Sequence, residues 1–444
     1  MAKAWGGRAS GTRTVAGVDE DALTLACDAA QRCLRDGDAA AVCALYFAST
    51  SAPYLEKQVA SLIATALDVP RACAVADFGG STRAGLAALR AGLDGVRSDS
   101  FATVLVTAGD TRAAEPGTEL EALFGDAGAA VLLGREGVIA DFVTAASVAE
   151  EFTHFYRKED DRYVRVPDTR FGDQYGYTPS IVDAVTMALK QAELPIQNVA
   201  KLVLATPDAR AAADAAKKLG ATTAQLEPHL ITEAGVTGTP DPLLLLAKSL
   251  ETAMPGDFIV VAAYGEGADA LIFRATDALP THRPQPTATA LAGGLPLASY
   301  ERYLRARGIL RGDSPGEPVT TYVEWKELKQ NTRLYGSRCG QCGLVQYPIA
   351  RVCVGCHTRE GLSDAKLGKR GTIFTYTLDT LAPVPELPFP MLIVDLDGGG
   401  RLYLQGTEFA DGEAKVGGPV ALTFRRLHDA GDNHNYFWKA RPLW

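Results

Sequence analysis

Cys339 and Cys342 form one Cys-x-x-Cys pair and Cys353 and Cys356 a second, with ten residues between the pairs. That spacing lets two short turns face each other and present four thiolates to one tetrahedral zinc ion. Gly340, Gly343 and Gly355 stand where tight turns are needed, and Arg338 and Arg351 stand beside the ligands to offset the charge of four thiolates. A single Cys-x-x-Cys reads equally well as a redox pair, whereas two pairs at this separation favour zinc. With sulfur in all four positions no coordination place is left for water, so the metal is expected to be structural. The other cysteines, Cys27, Cys33, Cys43 and Cys73, are scattered through apolar or helical stretches, as expected of reduced core residues in a cytoplasmic protein.

The elements that carry these residues differ on the two sides of the linker. At 444 residues the chain holds two or three domains, and its 22% charged and 47% hydrophobic residues are those of a soluble globular protein. A net charge of −9 without a basic run argues against a nucleic-acid scaffold. No apolar run reaches the length of a membrane span, and the first residues lack the apolar core of a secretion signal.

From the N-terminus, the pattern predicts a helix over 19–35, a strand over 41–50, a helix over 54–67, a strand over 72–78, a glycine-led helix over 79–96, and strands over 101–110 and 127–134. The strands are apolar throughout and alternate with helices, which specifies a parallel or mixed α/β sheet. After an irregular stretch over 150–177 the pattern returns, with helices over 179–192, 208–219 and 242–253 and strands over 201–206, 258–265 and 270–276. Two similar halves, 1–145 and 146–276, suggest an internal duplication that buries a helix between two sheets. A Pro-rich stretch over 279–296 reads as an extended linker, so 277–332 is expected to be linker with one short helix near 300–307. The zinc ribbon then occupies 333–370, and five short strands with Gly-rich turns over 371–444 predict a small β-barrel of the OB type.

Several pieces, in this order, carry a resemblance: DEDALTLACDAA, FASTSAPYLEKQVA, DFGGSTRAGLAAL, GDAGAAVLLG, GVTGTPDPLLLLAKSLETAMPGD and YGEGADALIF. Residues 19–276 resemble the thiolase superfamily, and within it the hydroxymethylglutaryl-CoA synthase-like branch. The last 120 residues or so resemble the zinc-ribbon and OB-fold proteins that accompany acyl-CoA thiolases, synthases and aldolases. The resemblance implies a duplicated, layered α/β fold, a coenzyme A thioester as substrate, and a homodimer. It also implies a sheet strand ahead of the first helix, for which the residues before 19 are few, so one sheet edge is expected to be shortened.

Such enzymes place a nucleophilic cysteine at the start of a buried helix, with a histidine and an asparagine from the second half. Here those positions fall on Thr82, with Ser81 beside it, on Ala205 and on Val236. Threonine without a base is a poor nucleophile and leaving group. Carbon–carbon chemistry that needs no covalent intermediate, an aldol or retro-aldol reaction of a β-hydroxyacyl-CoA, is therefore ranked first. A synthase or acyltransferase using Thr82 or Ser81, and a catalytically degenerate acyl-CoA-binding partner subunit, stay open.

For the proton transfers the candidates are Tyr264 in the YGEG turn, then Glu233, Asp77 and His154. Gly79, Gly80, Gly235, Gly238 and Gly265 sit where backbone must approach a thioester or a neighbouring helix. Each residue also has a plain reading. Tyr264 is a packed aromatic, Asp77 binds the helix-start loop, Glu233 faces solvent, and His154 lies on a charged surface segment. Arg112 and Arg157 pair with CoA phosphates or are simply salt-bridged or solvated. Tyr376, Tyr403, Phe424 and Trp438 in the barrel have acidic neighbours, Asp395 and Asp397, so the barrel is expected to guide the CoA or acyl chain rather than bind nucleic acid.

Overall fold

Asp21 begins the first helix, α1 (Ala22–Cys33): its carboxylate accepts from the Thr24 N–H at 3.0 Å while the Thr24 hydroxyl accepts from the Asp21 N–H at 2.8 Å, a reciprocal capping box. This computed structural model describes the chain except residues 1–10, 35–38, 311–320, 382–387, 431–432 and 444. It comprises two units. One is built from residues up to 292, and the other from 293 onward together with the short segments 17–20 and 65–68.

In the first unit β1 (Ala44–Ala48), α2 (Val59–Ala66), β2 (Ala74–Phe78), α3 (Ala84–Arg97), β3 (Val104–Asp110), α4 (Glu119–Leu123) and β4 (Ala127–Leu133) follow in order. Their sheet runs β2-β1-β3-β4, parallel except for the antiparallel β3–β4 pair. The second half contains β5 (Ala140–Ala149), α5 (Thr169–Gly172), a π-turn over Asp173–Tyr177, α6 (Thr178–Gln191), β6 (Val199–Ala205), α7 (Ala209–Lys218), α8 (Asp241–Thr252), β7 (Phe258–Tyr264) and β8 (Gly267–Ala275). Its sheet runs β5-β8-β7-β6.

Between the sheets lie two helices, not one. Leu86 and Leu89 of α3 and Leu243, Leu246 and Leu250 of α8 join Val104 and Val106 of β3 and Val261 and Ala263 of β7 in one buried cluster. Gly85 permits this: a Cβ there would stand 2.1 Å from the Thr239 carbonyl oxygen at the start of α8. On the outer faces, α1 packs against β3 and β4, while Ile181, Val185 and Ala212 of α6 and α7 cover the second sheet.

Three further expectations change. The helix expected from residue 54 begins at Val59, because both Asp77 oxygens accept from the Val59 and Ala60 N–H groups at 2.6 and 2.9 Å and fix its start. β5, not expected as a strand, crosses residue 145 and pairs antiparallel with β8, so it belongs to the second sheet. Within the stretch expected to be extended, Thr287–Ala292 forms a helical turn, α9. Residues 311–320 of the expected linker, and the first ten residues, lie outside the described part.

The second unit carries two short helices, α10 (Tyr300–Ala306) and α11 (Thr321–Glu327). The ribbon follows, as β9 (Tyr335–Cys339), β10 (Val345–Gln346) and β11 (Leu362–Lys366) in the order β10-β9-β11. The barrel strands are β12 (Arg370–Asp379), β13 (Phe389–Leu396), β14 (Arg401–Gln405), β15 (Pro419–Ala430) and β16 (Asn433–Pro442), ordered β14-β13-β12-β15-β16. A bridge from Gly406 to Ala440 brings the two edges together and nearly closes the barrel. Trp438 and Phe424 fill its interior, as do Leu392, Val394, Leu402 and Leu404. Among the described residues no helix is long and apolar enough to cross a membrane.

Candidate functional site

A cleft of about 150 Å³ opens where the two halves of the first unit meet, walled by Thr50, Ser51, Gly80, Ser81, Thr82, Arg112, Phe155, Tyr156, Arg157, Val164, Tyr264, Gly265 and Glu266. Its floor is the turn that leads into α3. Thr82 stands two residues ahead of that helix and donates its hydroxyl to the Tyr264 carbonyl at 2.9 Å, tying the first half to the end of β7. The Ser81 hydroxyl is buried and makes no regular hydrogen bond with any described residue. Gly265 lets that hydroxyl approach, since a Cβ there would lie 1.9 Å from Ser81 Oγ. Gly80, at φ +82°, lines the same wall.

Glu266 is the acid of the cleft wall. It holds φ at +47°, a conformation few residues other than glycine adopt and one that costs of order 1 kcal/mol. Burial raises its carboxyl above the usual carboxylate range, against the pull of the neighbouring Ser81 hydroxyl and Arg83. Tyr264 is 7% exposed, its hydroxyl has no partner among the described residues, and burial pushes its phenol up. At neutral pH it is a phenol, whose hydroxyl can donate a hydrogen bond.

Behind the cleft lining, Asp110 at the end of β3 is fully buried and holds the loop after β1 in place. One oxygen accepts from Ser49 Oγ at 3.0 Å, Thr50 N at 2.7 Å, Ser51 N at 3.0 Å and Ser51 Oγ at 2.8 Å. The other accepts from Thr50 Oγ1 at 3.1 Å, Thr239 N at 2.8 Å and Thr239 Oγ1 at 2.9 Å. Arg112, two residues on, lies with its guanidinium carbon 4.3 Å from the Phe124 ring centre, and Arg157 donates to the Thr50 carbonyl at 2.9 Å.

Other expected residues stand elsewhere. Asp77 spends both oxygens on the start of α2. Glu233 is exposed and accepts from the Thr232 hydroxyl at 2.8 Å, away from the cleft wall. Gly235 packs against Leu123 and Gly125, Gly238 lies against Asp110 and Arg112, and Gly79 faces the Ser49 carbonyl. Ala205 and Val236 are buried in apolar clusters, and neither lines the cleft. His154, expected on a solvated surface, is 1% exposed beneath Phe155 and beside Tyr264, with both ring nitrogens unpartnered among the described residues. Sequence reasoning missed Glu266 and Asp110. An acid between two glycines after an apolar strand, and an acid ending another such strand, are the signals that were there to be read.

In the second unit the sulfur atoms of Cys339, Cys342, Cys353 and Cys356 all lie within 4.8 Å of one another. Cys339 to Cys356 and Cys342 to Cys353 are each 3.6 Å. A tetrahedral ion with metal–sulfur bonds of about 2.3 Å requires edges of about 3.8 Å, so the quartet fits such an ion. Backbone N–H groups of Cys342 and Cys356 pull Cys339 and Cys353 toward the thiolate form a ligand needs.

Residues 325–360 match the family described as the ChsH2 rubredoxin-like zinc ribbon domain, and residues 365–425 match the ChsH2 C-terminal OB-fold domain. Curated relatives are hydroxymethylglutaryl-CoA synthases. That of Aeropyrum pernix is 31% identical over 306 residues, covering 67% of this chain and 84% of the relative. That of Pyrobaculum neutrophilum is 29% identical, covering 67% and 87%. Among solved structures, MvaS in complex with 3-hydroxy-3-methylglutaryl coenzyme A superposes with a TM-score of 0.61 at 19% identity, over 71% of this chain and 90% of that one. An HMG-CoA synthase complexed with CoA gives 0.61 at 20% identity, over 69% and 84%. A thiolase-like α/β unit with this cleft, these relatives and a ribbon and barrel that follow it in the sequence identify the chain as a member of the hydroxymethylglutaryl-CoA synthase family that carries a zinc ribbon and an OB-fold domain.

Proposed function

We propose that this protein binds an acyl-CoA thioester in the cleft ahead of α3 and breaks or makes the bond between its α- and β-carbons without an acyl-enzyme. Thr82 carries the reading. Among the described residues no cysteine lines the cleft, and the hydroxyl at the expected nucleophile position already donates its proton to the Tyr264 carbonyl at 2.9 Å. In the cleavage direction the Glu266 carboxylate takes the proton of the β-hydroxyl. The electron pair of that O–H bond forms the new carbonyl at the β-carbon as the α–β bond breaks. The bond's own pair passes into the thioester enolate, and the α-carbon then recovers the proton from Glu266. The products are an aldehyde or ketone and a shorter acyl-CoA. The backbone N–H groups of Ser81 and Thr82, which have no acceptor among the described residues, are the donors for the enolate oxygen, and the Tyr264 phenol is a further one. The four cysteines hold zinc as a structural ion that ties the two turns of the ribbon together.

A second reading, acyl transfer through Ser81 or Thr82 as in a synthase, draws on the family membership and on the Ser81 hydroxyl beside Glu266. Incubation with a panel of 3-hydroxyacyl-CoAs, followed by chromatography of the CoA products, separates the two. Retro-aldol cleavage predicts a shortened acyl-CoA and a carbonyl product, with kcat lowered about 100-fold or more in Glu266→Gln. The wild-type rate falls on the acid side as Glu266 takes up a proton, with a midpoint above the ordinary glutamate value of 4.5 because burial raises that group. A stable acyl adduct on residues 79–85 in intact-mass spectra, or full activity in Glu266→Gln, would overturn the proposal.

A further inference from the structure

We propose that the open edge of β15, with Arg425, Lys439 and Arg441 beside it, is a docking site for a short acidic peptide, and that Gly17–Glu20 of this chain is its resident, detachable occupant. The inference concerns the barrel and is independent of the thioester reading.

The barrel leaves part of one strand edge to be covered. β12 pairs with β15 only over Pro419–Ala421, although β15 runs on to Ala430. At Leu422 the N–H on that edge still finds the Lys369 carbonyl, at 2.8 Å. Amides on one edge of a strand recur at every second residue, so the Arg426 N–H points from the same edge. It donates to the Asp19 carbonyl at 2.9 Å, and the Arg426 guanidinium donates to the Val18 carbonyl at 3.2 Å. An incompletely paired strand edge takes a peptide backbone in this way. Residues 17–20 accordingly belong to the second unit, with the ribbon and barrel.

Charge decides which peptide fits. Arg425, Lys439 and Arg441 are all buried, and buried cations need counter-charges. The segment supplies two: Glu20 Oε1 lies 2.8 Å from Arg425 Nη2, and Asp19 Oδ2 lies 2.9 Å from Lys439 Nζ. Glu408, of the barrel itself, pairs with Arg425 and stands 3.7 Å from Arg441. The other Glu20 oxygen accepts from the Gly17 N–H at 2.8 Å, and the Glu20 N–H donates to the Gly17 carbonyl at 3.0 Å, which closes the four residues into a turn. Of the four, only Asp19 is buried. The hold therefore comes from carbonyls and carboxylates, which a second peptide of the same pattern reproduces.

The charged groups facing Glu20 are Arg425, Glu408 and Asp19. Burial raises its carboxyl to about 7 against the pull of Arg425, and the like charges of Glu408 and Asp19 add to the rise. A peptide that docks takes up a proton at this position, because its free glutamate titrates near 4.5. Docking is thus strongest on the acid side and weakens as pH rises through 7.

The test uses the full-length, zinc-loaded protein and a labelled peptide VAGVDEDA, residues 15–22 of the chain. The double variant Asp19→Asn, Glu20→Gln should bind it at least about tenfold more tightly than the wild type, whose tethered segment competes. In that variant the affinity should be about tenfold higher at pH 6 than at pH 8. Lys439→Gln should lower it, and the same peptide with amides in place of its carboxylates should fail to compete. Hydrogen exchange across β12–β16 reports whether the barrel of the double variant keeps its fold. Loss of protection throughout the barrel makes the segment an integral part of it and overturns the proposal. Equal binding to wild type and variant, binding to neither while the barrel stays protected, or weaker binding at pH 6 than at pH 8 overturns it as well.

Discussion

At position 82 a hydroxyl stands where a sulfur nucleophile is implied, and its proton is committed to the Tyr264 carbonyl; two residues past Tyr264, Glu266 brings a carboxylate to the cleft wall. Behind this wall His154 is held neutral, pulled down from 6.5 to about 4 by burial. Between those values the unfolded chain binds a proton that the folded chain refuses. Stability is therefore fully present above pH 6.5 and declines as pH falls toward 4. His154→Phe removes that contribution, worth roughly 2–3 kcal/mol by pH 4.5. Thermal melts of both proteins at pH 7.5 and 4.5 should show the variant losing less stability on acidification; an equal loss refutes the assignment. The cysteine quartet was legible because its information is local, two pairs on two turns. Glu266 had only a faint signal, an acid between two glycines, and its place in the cleft wall depends on a backbone angle of +47° that this signal does not specify. Nothing in GDTRAAEPG reveals that Asp110 accepts from a loop sixty residues earlier.

At the scale of elements, the central pair α3 and α8 fixes where the cleft floor lies. Gly85 is the point of closest approach, with the Thr239 carbonyl in the place a Cβ would take. Gly85→Ala must push α3 off α8, because the obstacle is backbone rather than a flexible side chain. The expected cost is about 1–3 kcal/mol or more, checked as a lowered denaturant midpoint at unchanged m-value. The strands of both sheets were legible from their continuous apolar runs, a signature of burial on both faces. β5 escaped because Asp141, Thr144 and Ser147 interrupt its apolar residues and its partner β8 lies more than a hundred residues onward. The start of α2 escaped for a related reason, since its cap, Asp77, comes from the next strand rather than from the residue before the helix.

At the scale of the whole molecule the two units owe their order to different causes, the first to a large apolar interior and the second to a barrel core plus four sulfurs. Zinc analysis should find one ion per chain. A chelator or Cys353→Ser should make the ribbon around 333–366 susceptible to protease while fragments spanning 21–292 survive; simultaneous loss of both would refute a purely local role for the metal. Both sheet-bearing halves of the first unit contribute walls to the cleft, Thr50 to Arg112 from one and Phe155 to Glu266 from the other, with the Thr82 hydroxyl fastened across the seam. Neither half by itself would enclose that space, so severing the chain between them should abolish any ligand binding in the cleft unless the two pieces reassociate.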